Sequence, residues 1–242
     1  MGNIIGEPFR DYVDSQIKKR QLIHGKKNRS ITEISYLNST NAWAKLASSV
    51  SLSQERLNLL KTSYGNPLVD NTIPGKDLAM NNVLFNGLTS IGNSSVGKDN
   101  KVKTSYNQIQ RTKFRGKTQG AYGVGGNEFG IVPMPGIISV DSKDLNRGSI
   151  KRSQVKIKAY NKHQFDLIDI LYLRLGYTVL LEFGNNQYWD DKTNKLTKQL
   201  STLIDTDFFQ TNDNYYSLLE KMALKRKQTR GNYEALLGKI VN

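Results

Sequence analysis

The stretch Gly92 to Asp99, GNSSVGKD, comes closest to a chemical signature in this chain. Its spacing follows the phosphate loop, in which backbone N–H groups cradle phosphates and a lysine reaches the outer ones. Asp99 stands where a magnesium-binding hydroxyl belongs, and a carboxylate there repels phosphate. The residues that follow, NKVKTSYNQIQ, make a poor helix, so the sequence argues against nucleotide binding. Gly120, Gly123, Gly125, Gly126 and Gly130 form a second glycine-rich stretch. Successive N–H groups there could hold an anion, but turns and close backbone contacts are the simpler use of glycine. His24 and His163 have no second ligand at helical spacing, and Asp190-Asp191 and Asp205/Asp207 lack a calcium-loop pattern. No nucleophile or metalloprotease motif is present, so we expect no enzyme, no metal and no cofactor.

Cations are the more prominent feature. Lysine plus arginine number 35 against 21 acids, a formal net charge of +14. Such a surface attracts polyanions and acidic partners. The basic patches are Lys18–Arg29, Lys98–Lys117 and Lys221–Arg230, the middle one interleaved with Tyr106, Phe114 and Tyr122. Aromatics between cations are a device for stacking single-stranded bases. A basic nucleic-acid-binding protein is therefore the alternative reading. There is no cysteine, hence no disulfide or thiolate site. The N-terminal residues lack a secretory pattern, and no run approaches the length of a membrane span, so no membrane partner is expected.

These residues must be positioned by α+β elements. Residues 7–23 read as a helix with Phe9, Tyr12, Val13 and Ile17 on one stripe. Ile31, Ile34, Tyr36 and Leu37, then Trp43, Leu46, Ala47 and Val50, continue the helical periodicity, and Ser53 is suited to cap a further helix. Residues 1–62 thus form a helical N-terminal arm. Residues 63–130 are a long Gly/Asn/Ser-rich irregular segment. Residues 131–140 are extended. Residues 150–160 alternate, with Val155, Ile157 and Ala159 inward and Lys156 and Lys158 outward, as in a half-buried strand.

Asn161 caps the next helix, whose buried stripe is Phe165, Ile168, Leu171, Tyr172 and Leu175, ending at Gly176. Tyr177–Phe183 is a second strand, 185–199 a polar loop, and 202–209 and 214–230 are helices. The last residues, NYEALLGKIVN, start another strand, and the 131–242 domain is expected to continue beyond them. The stretch 132–184 is the expected folded heart. Its helix side chains contribute about 1.5–3 kcal/mol each when buried, enough to hold one helix on a sheet but not to stabilise the whole chain.

Several pieces carry a resemblance. They are Met134-Pro135-Gly136-Ile137, Asn146-Arg147-Gly148-Ser149, the Gln164–Leu175 helix, Gly176-Tyr177 and Leu181-Glu182-Phe183-Gly184. Together with PFRDYVDSQIKKRQ, YLNSTNAWAKLASSV and GNYEALLGKIVN, they resemble tailed-bacteriophage virion proteins related to baseplate and tail-hub subunits. The resemblance implies a small β-barrel or sheet of hub type with a crossing helix. It implies a homo-oligomeric ring of three or six copies in the virion tail or baseplate, assembled in the host cytoplasm. Its partners would be other tail and baseplate proteins, with contact to passing DNA. The interface residues expected are Phe9, Tyr12, Val13, Ile17 and Trp43 on the arm. On the domain they are Arg147, Lys151, Arg152, Lys156 and Lys158.

Overall fold

The structure is a computed structural model. It describes residues 10–38, 42–62, 78–79, 82–87, 95–96, 102–103, 135–145, 150–185, 187–190, 192–198, 203, 208 and 215–241. Its helices are α1 (Arg10–Gly25), α2 (Ile31–Asn38), α3 (Gln54–Thr62), α4 (Lys162–Tyr172) and α5 (Tyr215–Gln228). Its strands are β1 (Ala42–Ser48), β2 (Leu84–Gly87), β3 (Ser95–Val96), β4 (Val102–Lys103) and β5 (Gly136–Leu145). They continue with β6 (Ile150–Lys158), β7 (Thr178–Asn185), β8 (Gln187–Asp190), β9 (Lys195–Lys198) and β10 (Tyr233–Lys239). The chain is α+β, and its described strands form small open sheets with no closed barrel.

The largest sheet runs β10-β7-β1-β2, with each neighbouring pair antiparallel. Successive side chains of a strand point to opposite faces. One face therefore carries Ala44, Leu46, Leu84 and Leu181, which join Leu167, Ile168, Leu171 and Tyr172 of α4 and Leu57 and Leu60 of α3. The other carries Ala47, Leu180, Tyr233 and Ala235, which pack with Leu218 and Met222 of α5 and with Leu203. A sheet covered on both faces explains an error of sequence reading. Residues 42–48 form a central strand of this sheet and not part of a helix, so 1–62 is not helical throughout. Because β1 is buried on both sides, its apolar residues do not alternate, and the run mimics helical spacing.

Helix α4 packs on the sheet, and Asn161 caps it as expected, its side chain accepting from the Gln164 N–H at 2.9 Å. The inward stripe is Gln164, Leu167, Ile168, Leu171 and Tyr172. Phe165 is 53% exposed and Leu175 is 69% exposed, so both leave the expected stripe. The helix stops at Tyr172, four residues before Gly176, and Leu175 lies beyond its last turn. Ser53 caps α3, accepting from the Arg56 N–H at 3.4 Å. Residues 30–33 make a capping box at the start of α2: Ser30 N–H donates to Glu33 Oε2 at 3.0 Å and Glu33 N–H to Ser30 Oγ at 3.3 Å. Lys26 hydrogen-bonds the same carboxylate at 2.6 Å and, with the Ser30 N–H, draws its pKa down to about 2.

Residues 187–198, expected as a loop, form the β8–β9 hairpin. Asn194, at φ 50°, takes the left-handed turn position that asparagine tolerates. Helix α1 lies against this hairpin, so it packs on its own chain. The Gln16 side-chain amide takes the place of a neighbouring strand, donating to the Trp189 carbonyl at 2.5 Å and accepting from the Trp189 N–H at 2.8 Å. Tyr36 also donates to Gln16, at 2.8 Å, and its ring lies 5.9 Å from that of Trp189. Residues 215–228 and 233–239 form the expected helix and strand. The 202–209 helix and almost all of the 63–130 segment lie outside the described residues, apart from short pieces. Ser95 and Val96, inside the phosphate-loop-like stretch, pair with Lys103 and Val102 as a two-stranded turn of sheet.

Candidate functional site: the basic ribbon

The sequence of β5 places Ile137, Ile138 and Val140 too irregularly for simple alternation. The strand resolves this with a bulge: Ile137 pairs with Ile157, Ser139 with Lys156 and Val140 with Val155, leaving Ile138 extra. A bulge inserts one residue and re-aims the strand beyond it. Ile137 and Val140 thereby share a face although they are three residues apart. The Asn86 side chain donates to the carbonyl of Ile138 at 3.0 Å, holding the bulge against β2. Gly136 is needed beside it, because a Cβ there would lie 2.9 Å from the Phe85 carbonyl oxygen.

The resulting ribbon has two unlike faces. The inner face carries Ile137, Val140, Val155 and Ile157, all packed on the core at the ribbon's base. Farther out it carries Ser142 and Ser153, hydrogen-bonded at 2.9 Å, then Asp144 with Lys151 at 3.6 Å. The outer face carries Lys158, Lys156, Gln154 and Arg152 from β6, with Ser139, Asp141 and Lys143 from β5. From Asp141 to Leu145 and from Ile150 to Gln154 every residue is exposed, on both faces. This part of the ribbon extends away from the core.

The expected interface residues are therefore distributed as follows. Arg152, Lys156 and Lys158 come together on the outer face. Lys151, expected with them, lies on the inner face because it is one residue out of phase. Lys143 joins the outer set opposite Arg152. Sequence reading missed it, since only strand pairing brings it there. Phe9 and Arg147 lie outside the described residues. Tyr12 and Val13 are half-buried on α1, with the Arg230 guanidinium 5.1 Å from the Tyr12 ring. Ile17 is 47% exposed. Trp43 is half-buried on the sheet face under α5, 6.4 Å from the Tyr233 ring.

Electrostatically the outer face is cationic. Asp141 is its one carboxylate, 3.7 Å from Lys143. Arg152 and Lys156 have no ion-pair partner among the described residues, and Lys158 sits 4.6 Å from the Tyr160 ring. A cleft of about 410 Å³ lies where the ribbon leaves the sheet, lined by Trp43, Asn86, Val140, Ser142 and Phe183 among others.

Two further polar groups lie away from the ribbon. Glu182 on β7 is 0% exposed, and its Oε1 accepts from Tyr233 Oη at 2.5 Å and from the Leu203 N–H at 2.6 Å. Burial, followed by the Glu182 charge, pushes the Tyr233 phenol far above its ordinary range. Asp190 is held below the usual carboxylate range, first by the Thr193 hydroxyl and with help from Arg230 at 2.9 Å. Both groups tie elements together: Glu182 joins β7, β10 and Leu203, and Asp190 joins the hairpin to the end of α5. Among the described residues no three histidine or acidic side chains converge as metal ligands would. Comparison with known proteins brings no match, whether to a family model, a characterised protein or a solved structure.

Proposed function

We propose that this chain is a structural subunit of a phage tail or baseplate, acting by assembly with other virion proteins in a hub or ring. The observation that carries the reading is the β5–β6 ribbon. It lies within the segment that resembles baseplate and tail-hub subunits. A two-stranded ribbon exposed on both faces is marginal in water, and docking on another surface stabilises it. Strand β10 adds to this: among the described strands it pairs only with β7, leaving one edge able to accept a further strand. Closed symmetry is the usual outcome when one chain repeats such contacts, and a three- or six-fold ring is the form we propose.

Mass spectrometry of purified particles from the phage carrying this gene tests the reading. The chain is expected at stoichiometric abundance with tail proteins, and particles from a phage whose copy lacks 141–154 are expected to lack a complete tail or baseplate. Absence of the chain from intact virions would overturn it.

A further inference from the structure

We infer that the outer face of the β5–β6 ribbon is a nucleic-acid surface that grips phosphates without reading sequence. The inner face of the ribbon is committed at its base to the protein core through Ile137, Val140, Val155 and Ile157, so the outer face is turned to solvent. On it Lys158, Lys156 and Arg152 recur at intervals of two and four residues, about 7 and 14 Å along a strand. Lys143 stands directly across from Arg152, and Gln154 and Ser139 supply neutral hydrogen-bonding groups between the cations. Tyr160, 4.6 Å from the Lys158 ammonium and substantially exposed, offers a flat ring at the base of the row. Cations beside an aromatic platform bind the backbone and the bases of a strand together.

The ribbon's form favours nucleic acid over an acidic protein. A two-stranded β-ribbon is of a width that the major groove of a duplex, about 12 Å across, admits. A protein–protein interface is depleted of charge at its centre. Here four cations, Lys158, Lys156, Arg152 and Lys143, surround one carboxylate, Asp141, which lies 3.7 Å from Lys143, and the apolar pair, Leu145 and Ile150, stands at the outer end. The inference is independent of the assembly reading, because a chain that enters particles but binds no nucleic acid would keep the first and lose the second.

The test is fluorescence anisotropy of the full chain with labelled random-sequence DNA, duplex and single-stranded, over a salt series. The wild type is expected to lose log affinity linearly with log salt. The R152Q/K156Q/K158Q variant should have a duplex slope shallower by about 2.7, at about 0.9 for each phosphate no longer neutralised, and should bind more than about tenfold more weakly at low salt. A matched variant, R56Q/K192Q/K227Q, removes the same charge from exposed positions elsewhere and should leave the slope near wild type. Absence of wild-type binding, an equal loss in both variants, or a preference for poly-glutamate over DNA would each overturn the inference. Should the triple variant lose its circular dichroism spectrum, R152Q alone serves, since Arg152 is exposed and makes no ion pair among the described residues. Its slope must fall by about 0.9, and an unchanged slope overturns the proposal.

Discussion

Two buried tyrosines set how the fold responds to alkali. Tyr172 on α4 is buried, and its hydroxyl donates to the carbonyls of Asn82 at 2.6 Å and Leu46 at 3.2 Å, pinning the helix to β1. Desolvation raises its pKa well above the usual phenol range, and Tyr233 is raised for the same reason with the Glu182 charge added. In the unfolded chain each phenol ionises near 10. Above that pH the unfolded state holds fewer protons than the folded one, so stability falls as pH rises. The contribution is fully present below pH about 10. Beyond it the loss is about 1.4 kcal/mol per pH unit for each tyrosine. Thermal melting between pH 8 and 11.5 should show this decline, and Tyr172→Phe or Tyr233→Phe should each flatten it. Identical pH profiles for wild type and both variants would show that these phenols are not shielded. At neutral pH Tyr233→Phe removes one donor from a buried carboxylate and should cost about 1–3 kcal/mol.

Among the elements, β7 is closely flanked on both sides at Gly184. Gly184 pairs with Trp43 on one side and Tyr233 on the other. A Cβ at this position would stand 2.2 Å from the backbone oxygen of Asn232. Gly184→Ala must therefore push the turn Thr229–Asn232 away from β7, disturbing the Asn185 N–H bond to the Asn232 carbonyl at 2.9 Å. A loss of about 1–3 kcal/mol is expected from such overpacking. Urea titration is the direct measure, and a midpoint within error of wild type would mean that the β7–β10 approach is looser than described.

The elements differ in how legible they were. The alternation of β6, the cap of α4, and the strand character of β7 and β10 could be read locally, because one-sided burial imprints a period on the residues. Strand β1 could not, since Ala44 and Leu46 are buried on one side, Ala47 on the other, and Lys45 and Ser48 are buried too. The β8–β9 hairpin was also missed, because its partners lie far away in sequence, as Gln16 does from the Trp189 backbone that it hydrogen-bonds. The capping box at Ser30–Glu33 was present as a local signal at the start of the run that Ile31, Ile34, Tyr36 and Leu37 marked as helical.

For the whole molecule the division lies between a body and a ribbon. The body is a four-stranded sheet with a helical layer on each face and a buried cluster on either side. The described residues of the outer ribbon, 141–145 and 150–154, are all exposed. Replacing 141–154 by a two-residue Gly-Gly link should therefore shift the melting temperature by no more than a few degrees while abolishing assembly. A collapse of the fold on this deletion would mean that the ribbon is part of the core.

The resemblance, the excess of cations and the expected interface residues were all available from the chain as written. From local pattern alone came the half-buried basic strand and the helix that follows it, and with them the α+β class. Tertiary structure decided the rest. It turned 42–48 from helix to central strand by burying both its faces. It made a hairpin of 187–198. Through one bulge and one strand pairing, it brought Lys143 to the outer face, whereas the separation of Lys151 from Arg152 follows from the strand period alone. A strand's period shows which of its residues share a side, but only pairing and packing determine which side is covered and which neighbours complete it.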